Sequence, residues 1–479
     1  MRNRVSRRNS VVRRGYLYRM MTNRWSARSA IAAVALVACV AVGSPAPTAP
    51  TANAQVSALG AGGEFHPLTP ARIFDSRSGA AKTTSNDGSS FDVGILGQGG
   101  VPTEASSVLA VVANVTVVGS GAAGYLSIRP AGSSSTPSSL VNFNPVEAVP
   151  NLAVIGVGGG GRATVTLTTP GASSSAHVLV DVFGWISTST YSDVADSGAR
   201  FVPLGPSRFL DTRSVPVPAT WSSGRSIGSF EQLTLPIRGV NGVPDSSNIT
   251  GVMVNLTAAN NQPGSVPTFL AATPTTTPAG SEPATSVTNV SPGQVKANTA
   301  IVPIGPDGAI RIFNRSGATH VIVDVLGYLQ GGAAETSREG RVIPLDAPFR
   351  VFDTRQPEFA STPLGFSTKE EWSFKAFAES VTLNGAPIGR QSALIGNLTG
   401  TGLTPLVSGQ AVTTYMTLYP GNGAPPNSSN INVTPGRSVP NMSLLRYGTV
   451  GDDPYMISAF NFDGSIHYLL DVYAVVLAD

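Results

Sequence analysis

One six-residue motif occurs three times in this chain, and the repetition constrains its fold more than any other feature. The motif has the form Arg-x-x-Asp-Ser/Thr-Arg, and its copies are Arg72–Arg77, Arg208–Arg213 and Arg350–Arg355. The copies recur at a spacing of roughly 140 residues, which is typical of a tandem array of equivalent domains. Each unit of this size is therefore expected to form one domain, and the same domain fold is expected three times along the chain.

Three further elements follow each motif in a constant order. An Asn-x-Thr sequence comes first, then a second asparagine, and last a histidine with an aspartate four residues later. The asparagines are Asn114, Asn255 and Asn397 in the first element, and Asn151, Asn298 and Asn441 in the second. The closing pairs are His177 and Asp181, His320 and Asp324, and His467 and Asp471. Four landmarks in constant order predict three structurally equivalent repeats.

We place the repeats between short polar linkers, at residues 65–186, 201–329 and 341–479. The linkers, residues 187–200 and 330–340, are short enough that we expect neighbouring repeats to touch.

The first 54 residues have the features of an export signal. They contain nine arginines, the last of them Arg28, and no acidic residue, and the apolar run Ile31–Val42 follows. A basic segment, a short apolar run and the small-residue triplet Ala52–Ala54 are typical of a secretory signal that is cleaved before Gln55. The run is shorter than the roughly 20 residues that span a bilayer. We therefore expect a secreted or surface-associated protein without a transmembrane helix, with residues 55–64 as a flexible start.

Two alternatives concern the export route. Leu36–Cys39 resembles the lipobox of bacterial lipoproteins, in which Cys39 would be acylated, and Ser6–Arg8 resembles a twin-arginine signal. A translation start at Met20 or Met21 would leave an ordinary secretion signal.

Removal of this segment changes the charge of the chain. The whole chain has 31 basic and 28 acidic residues, a net charge of +3. Without the nine arginines 22 basic residues remain against the same 28 acidic ones, so the net charge becomes −6. A mildly acidic chain without a Lys/Arg run does not predict nucleic acid as a partner. Because Cys39 is the one cysteine, the exported part is expected to depend on packed cores and not on disulfides.

The composition favours an all-β fold. The chain has 52 glycines and 37 prolines, which suit turns, and a hydrophobic fraction of 41%, which a disordered chain lacks. Its apolar stretches, such as Val108–Val118 and Val178–Phe183, are short and β-branched, which indicates strands. We therefore predict three tandem antiparallel β-sandwiches of jelly-roll-like form. Residues 369–381 also have helical features, but their alternating aromatic residues favour a strand.

The repeated motif has two interpretations. In an extended chain Asp75 and Arg77 share a face, so they can form a bidentate pair, and the same holds for the other two copies. One interpretation is a structural clamp that holds the first strand in its sandwich. The other is a binding site for carboxylated, sulfated or phosphorylated sugars, since arginine suits such anions. The residues concerned are Arg72, Asp75 and Arg77, Arg208, Asp211 and Arg213, and Arg350, Asp353 and Arg355.

The His-x-x-x-Asp element is interpreted as structural. On a strand its two side chains are about 13 Å apart at roughly 3.3 Å per residue, too far for a hydrogen bond or a shared metal ion. Its apolar neighbours predict a strand buried on both faces, where polar groups need partners. We expect those partners to be Asn, Thr and Arg residues of the same repeat. A ligand or metal site and catalysis are the alternatives.

Both sets of asparagines are also interpreted as structural. Glycosylation of the Asn-x-Thr sequences is not expected because apolar strands surround them, and their side chains are expected to bond a neighbouring turn or edge. The second set precedes an apolar run and follows proline in two copies, which indicates a turn at the start of a strand.

The sequence contains no local motif of a hydrolase, a phosphate loop or a metal site. We therefore predict no catalytic residue, no cofactor and no metal. A glycosidase pair of carboxylates is the open alternative, because that chemistry leaves no local signature.

Taken together, the elements Arg-x-x-Asp-Thr/Ser-Arg, Asn-Val/Leu-Thr, Val-Pro-Asn and Val-Asp-Val-x-Gly-Trp/Tyr resemble a tandem all-β repeat of proteins secreted by high-GC Gram-positive (actinobacterial) bacteria, of uncharacterised activity. The resemblance covers nearly all of residues 65–479 and implies an exported, surface-associated protein. It supplies no catalytic residues. The copies differ, since the second has Lys296-Ala297 where the others have Val-Pro. Three identical binding sites are therefore not expected.

The sequence thus predicts a secreted, non-enzymatic cell-surface protein with a structural or adhesive role, whose partner is cell-wall polysaccharide or a surface protein. Three weak sites would give avidity, and the repeats would alternatively close into a pseudo-threefold assembly with the Arg/Asp and His/Asp elements at the seams. A carbohydrate-binding protein for cell-wall or extracellular polysaccharide is the second class. It predicts exposed aromatic residues, for which the candidates are Tyr125, Trp185, Trp221 and Tyr328. A polysaccharide-cleaving enzyme is the third class.

Overall fold

A computed structural model of the chain describes residues 11–13, 62–78, 84–85, 89–170, 174–191, 198–332, 337–359, 361–383, 386–410 and 412–479. The apolar run Ile31–Val42 with Cys39, the two alternative start methionines, the cleavage triplet and residues 55–61 lie outside the described residues. Strand β1 (Val11–Arg13) pairs in parallel with residues 370–372. This strand lies within the predicted signal segment.

Almost all of the remaining secondary-structure elements are strands. Repeat 1 contains β2 (Phe65–Asp75), β3 (Thr84–Ser85), β4 (Ser89–Gly94), β5 (Val108–Val118), β6 (Gly124–Pro130), β7 (Val141–Phe143), β8 (Ala148–Gly156), β9 (Arg162–Thr168), β10 (Ser174–Ser175) and β11 (His177–Ser187). Repeat 2 contains β12 (Ala199–Asp211), β13 (Glu231–Pro236), β14 (Ile249–Asn260), β15 (Thr268–Thr273), β16 (Thr288–Val290), β17 (Gln294–Pro303), β18 (Ala309–Asn314) and β19 (His320–Gly331).

Repeat 3 contains β20 (Val342–Asp353), β21 (Thr368–Ser373), α1 (Lys375–Ser380), β22 (Thr382–Leu383), β23 (Ala386–Pro387), β24 (Gln391–Thr404), β25 (Thr414–Pro420), β26 (Ile431–Val433), β27 (Val439–Arg446), β28 (Gly448–Val450), β29 (Asp453–Asn461) and β30 (Ser465–Leu477). Short 3-10 turns lie at Gly159–Gly161 and Pro357–Phe359.

Each repeat is a sandwich of two antiparallel sheets. The inner sheets have the strand orders β2-β11-β5-β8, β12-β19-β14-β17 and β20-β30-β24-β27, and the first two are joined edge to edge through β2 and β12. The outer sheets have the orders β4-β9-β6-β7, β13-β18-β15-β16 and β21-β29-β25-β26, and β1 and β28 extend the last of these. The predicted fold class, three tandem antiparallel sandwiches, is confirmed. Equivalent inner strands are named here by their landmarks: motif strands (β2, β12, β20), closing strands (β11, β19, β30), Asn-x-Thr strands (β5, β14, β24) and axial strands (β8, β17, β27).

The closing strands and the Asn-x-Thr strands of the inner sheets are buried on both faces. One face packs on the outer sheet of the same repeat, and the other contributes to an apolar core shared by all three repeats. That shared core includes Val154 of repeat 1, Ile301 of repeat 2 and Met442 of repeat 3, all less than a tenth exposed. Burial on both sides explains why the closing strands are almost continuous apolar runs.

The three repeats close into a ring. The axial strands β8, β17 and β27 contact one another pairwise around a pseudo-threefold axis. At the opposite end of that axis the starts of the motif strands meet: Phe65 pairs with Ala199, Gly63 with Val342, and the Phe201 N–H donates to the Gly340 carbonyl at 2.9 Å. Consecutive repeats therefore touch, and the last repeat also touches the first.

The structure differs from the sequence prediction over residues 369–381. The expected strand ends at Ser373, and the short helix Lys375–Ser380 follows. Phe377 and Ala378 of this helix are buried, and the Val381 N–H closes its last turn on the Phe377 carbonyl. Good helix formers and an apolar face to bury account for the helix.

Candidate functional site

An arginine and an aspartate from opposite ends of each repeat form a bidentate pair. Arg350 of the third motif donates from Nε and Nη2 to the closing Asp471 at 2.8 and 2.9 Å. Arg208 holds Asp324 at 2.8 and 3.1 Å, and Arg72 holds Asp181 at 2.8 and 3.0 Å. Each pair joins the motif strand to the closing strand beside it, so the first strand of the repeat is tied to its last.

A second bidentate pair lies within the motif. Arg77 donates to Asp75 from Nε at 2.9 Å and from Nη2 at 2.6 Å, and its backbone N–H donates to the same carboxylate at 2.9 Å. The same three contacts occur between Arg213 and Asp211 and between Arg355 and Asp353. The Arg77 guanidinium holds the pKa of Asp75 well below its usual range. This is the i to i+2 pair that the sequence spacing predicts.

The repeated histidines fix the turn that follows the motif strand. His320 Nδ1 shares a hydrogen bond of 3.0 Å with the Thr212 hydroxyl, and the Val321 N–H donates to the same hydroxyl oxygen at 2.9 Å. His177 with Ser76 and His467 with Thr354 repeat the contact at 3.3 and 3.1 Å. Burial, with Arg213 nearby, lowers the pKa of His320, which favours the neutral ring. The histidines and closing aspartates thus contact different partners.

The closing aspartates also receive hydrogen bonds from the next repeat around the ring. The Ser139 N–H of repeat 1 donates to Asp471 of repeat 3 at 3.0 Å, and the Ser429 N–H of repeat 3 donates to Asp324 of repeat 2 at 2.9 Å. Both donors lie in the seam loops, defined here as residues 135–139, 282–286 and 425–429. The Arg/Asp pairs therefore lie at the seams between repeats.

The six repeated asparagines connect the repeats in a ring around the axis. Asn151 donates to Asn397 at 2.9 Å, Asn441 to Asn255 at 2.8 Å, and Asn298 to Asn114 at 3.4 Å. Each link joins the axial strand of one repeat to the Asn-x-Thr strand of another. We name the three seams 1–3, 3–2 and 2–1, with the repeat that supplies the axial strand first.

The structure bears differently on the two expectations for the asparagines. Asn397 bonds the Ser139 carbonyl at 2.6 Å, so its partner is a turn, but the turn belongs to another repeat. The expectation that Asn151, Asn298 and Asn441 form a turn at the start of a strand is wrong. Each lies buried inside its axial strand, because its amide must bond both the neighbouring repeat and the residue that directly follows a seam loop.

Replacing Asn441 by alanine is expected to lower the free energy of unfolding by about 3 kcal/mol, because buried groups left without partners cost about 1–3 kcal/mol each. Asn441 donates to Asn255 and to the Asn430 carbonyl, and it accepts from the Thr299 N–H. Urea unfolding checks this. The exposed Asn248→Ala variant should cost less than about 0.5 kcal/mol, and equal losses in both variants would contradict the prediction.

The three seams are not equivalent. Arg72 is 40% exposed and Asp181 8%, whereas Asp324 and Asp471 are both fully buried. Burial raises the pKa of Asp471 and of Asp324, and the arginine that faces each carboxylate opposes the shift. Among the described residues, Asp181 receives no backbone hydrogen bond from repeat 2. The Arg/Asp pair of the 2–1 seam is therefore the most exposed of the three.

A polar groove runs along the 1–3 seam. It has a volume of about 760 Å³ and lies between the outer sheet of repeat 1 and the motif of repeat 3. Tyr125, Ser127 and Arg129 line one side, and Arg355 and Thr401 line the other. We name it the seam groove. In the 2–1 seam Phe269 takes the strand position of Tyr125. A cavity of about 470 Å³ in that seam is lined by other residues, among them Leu68, Ala272 and Ile301, and is mostly apolar.

The aromatic residues that a carbohydrate site would require are mostly not exposed. Trp185 is buried and stacks on His66 with 4.3 Å between ring centroids, and Tyr328 is also buried. Trp221 lies under the Arg225 guanidinium at 3.9 Å. Of the four candidates, Tyr125 is the one that lines a described groove.

Sequence analysis missed the seam loops, although they too have a repeated signature. A Ser-x-x-Asn-x-x-Pro pattern starts at Ser139, Ser286 and Ser429. Its serine supplies the backbone N–H that reaches the neighbouring aspartate in two seams. Its recurrence at the same period as the other landmarks is the sequence signal that marks these loops.

Neither a metal cluster nor a membrane-spanning helix occurs in the part of the chain that the structure describes. It contains no group of three or more His, Cys, Asp or Glu residues placed to hold a metal ion. None of its helices is long and apolar enough to cross a membrane.

Comparison with known proteins supplies no family. No known family and no curated protein matches the chain. One solved structure, the N-terminal CBM22-1–CBM22-2 tandem domain of Xyn10C from Paenibacillus barcinonensis, is similar over 56% of this chain and 99% of its own, with 11% identity and a TM-score of 0.16. A similarity at that level carries no argument about ligands.

Proposed function

We propose that the protein is an exported, non-enzymatic element of the cell surface, a closed ring of three sandwiches that adheres to polysaccharide through the seam groove. Export is supported by the basic and apolar features of residues 1–54. The closed ring is supported by the hydrogen bonds that cross the seams, which link the asparagines and join the Ser139 N–H to Asp471.

The observation that carries the adhesive proposal is the chemistry of the seam groove. Its lining combines hydroxyls (such as Ser127 and Thr401), three guanidinium groups (Arg129, Arg350 and Arg355) and the ring of Tyr125. Hydroxyls and guanidinium groups bond the hydroxyl and acidic substituents of sugars, and an aromatic ring packs on a sugar face. A groove of about 760 Å³ has room for a few sugar units.

A non-enzymatic role is supported by the state of the repeated acids. Hydrolysis of a glycosidic bond needs two carboxyl groups that are free to exchange protons with substrate or water. The six repeated aspartates are instead held by arginines in bidentate pairs. Arg355 and Arg350 belong to such pairs, so they add no net charge to the groove and contribute shape and hydrogen-bonding groups.

The test is cosedimentation of purified residues 55–479 with insoluble cell-wall material and with insoluble polysaccharides, at low and moderate salt. Saturable binding is expected, and Tyr125→Ala should weaken it at least fivefold because the sugar loses its packing surface. Tyr125→Phe keeps the ring and should bind nearly as well as the wild type.

Phe366→Ala is the matched control, because this ring is 52% exposed and does not line the groove. If no fraction binds, the adhesive proposal fails and a purely structural role becomes the better account. If Phe366→Ala weakens binding as much as Tyr125→Ala does, the seam groove is not the site.

A further inference from the structure

A third cavity lies on the pseudo-threefold axis itself. We name it the axial pocket; it has a volume of about 240 Å³ and is lined by residues from all three repeats. Val149, Lys296 and Val439 occupy equivalent positions in its wall, two residues before the asparagine of each axial strand. The departure of the second repeat from the Val-Pro pattern therefore places a lysine where the other repeats have valine.

The charges in the axial pocket do not balance. Arg437 pairs with Glu147 at 2.7 Å, which neutralises both. Lys296 is half-buried, and no carboxylate of the described residues lies within 4.0 Å of its ammonium group. One uncompensated positive charge thus remains in the pocket.

This charge has an energetic cost that a ligand would remove. Burial, together with Arg437, lowers the pKa of Lys296, and Glu147 only partly offsets this. An anion bound beside the ammonium group would restore the favourable pairing. Because Glu147 also faces the pocket, a single negative charge suits it better than two.

The remaining wall offers hydrogen-bonding groups suited to hydroxyls. Asn144, Gln294 and Thr434 line the pocket, and Asn432 contributes an amide whose buried Nδ2 has no hydrogen-bond partner among the described residues. An unpartnered buried donor favours a ligand with oxygen acceptors. Pro150 and Pro440 add apolar surface.

We propose that the axial pocket binds the carboxylate of a hydroxylated acid of the size of one sugar unit, a uronic acid. Lys296 bonds the carboxylate, and the amides bond the hydroxyl groups. A volume of about 240 Å³ limits the ligand to one such unit. The ligand is either a free sugar acid or the terminal unit of an acidic polysaccharide.

The test is isothermal titration of the whole purified chain with sodium glucuronate. One saturable site per chain is expected, and Lys296→Val should weaken it at least tenfold. This variant restores the residue of the other two repeats and should unfold at the same temperature as the wild type or higher, so lost binding would not reflect lost folding. Lys375→Met, which removes an exposed lysine elsewhere, should bind as the wild type does.

Three outcomes would overturn the proposal: no saturable binding of glucuronate, equal binding by the wild type and Lys296→Val, or binding of glucose or sulfate as tight as that of glucuronate. A tetramer of galacturonate that binds more tightly than galacturonate would identify a chain end as the ligand, and equal affinity would identify a free sugar acid. Tyr125→Ala should leave glucuronate binding unchanged, which separates this site from the seam groove.

Discussion

Replacing Arg350 by methionine is expected to lower the free energy of unfolding by about 3–5 kcal/mol, the usual cost of removing one partner from a buried ion pair. The Asp471 side chain is 0% exposed, so water does not solvate its charge. Arg350 is the cation that pairs with it and supplies two of its hydrogen bonds. Methionine keeps much of the side-chain volume, so the loss would reflect the charge left behind. Urea unfolding at neutral pH measures it.

The chain contains a matched comparison for this variant. Arg72 forms the same pair with Asp181, but the Arg72 side chain is 40% exposed and Asp181 lacks the backbone donor that Ser139 gives to Asp471. Water can therefore solvate Asp181 when the guanidinium is removed, and Arg72→Met should cost only about 1 kcal/mol. Equal losses in the two variants, or a larger loss for Arg72→Met, would contradict the prediction.

A double variant separates the lost charge from lost packing. Arg350→Met with Asp471→Leu removes both charges, so most of the stability lost in Arg350→Met should return. If the double variant is no more stable than the single one, the contribution of Arg350 lies in its packing and not in its charge.

Features governed by local spacing could be predicted from the sequence. The pair between Asp75 and Arg77 depends only on side chains two residues apart in an extended chain. The all-β fold follows from short β-branched runs between turn residues, and the burial of Asp181 follows from the apolar residues around it. Each of these depends on the chain close to the residue concerned.

Contacts between distant parts of the chain could not be predicted in the same way. Arg72 and Asp181 are 109 residues apart, and Asn151 and Asn397 are 246 apart. Their pairing depends on strand order within a sheet and on which repeat follows which around the axis. The sequence period indicates that the repeats are equivalent, but it does not specify the partner of each.

Charged residues break the threefold symmetry at both ends of the axis. Lys296 does so in the axial pocket, and three charged residues do so at the opposite end. Glu64, Arg200 and Arg341 occupy equivalent positions at the starts of the three motif strands. Arg200 lies 2.9 Å from Glu64, and Arg341 lies 3.5 Å from it. Three identical repeats would bring three like charges together at such a point, which is unfavourable. Because the three repeats belong to one chain, their residues at this point can differ, and one carboxylate can face two cations. The same charge pattern favours the observed order of the repeats around the ring over other orders.

Closure of the ring predicts the largest effect of all, the loss of cooperative folding when one repeat is removed. A chain that ends at Gly332 lacks the Ser429 N–H that bonds Asp324, the carbonyls that bond Asn255, and the Val342 partner of Gly63. It would also expose the faces of two inner sheets that are now buried. We expect no cooperative thermal transition from this two-repeat chain, measured by calorimetry.

The matched control is a circular permutant that keeps all three repeats. It begins at Ser337, joins Asp479 to Gly62 through a short Gly/Ser linker, and ends at Gly332. Gly62 lies against Leu477, so the join spans a short distance and adds little loop entropy. Cooperative unfolding of the permutant, with the truncated chain unfolded, would show that the closed ring is the unit of stability. A two-repeat chain that unfolds cooperatively would instead show that each sandwich is stable without closure, and the seam contacts would then contribute to position more than to folding.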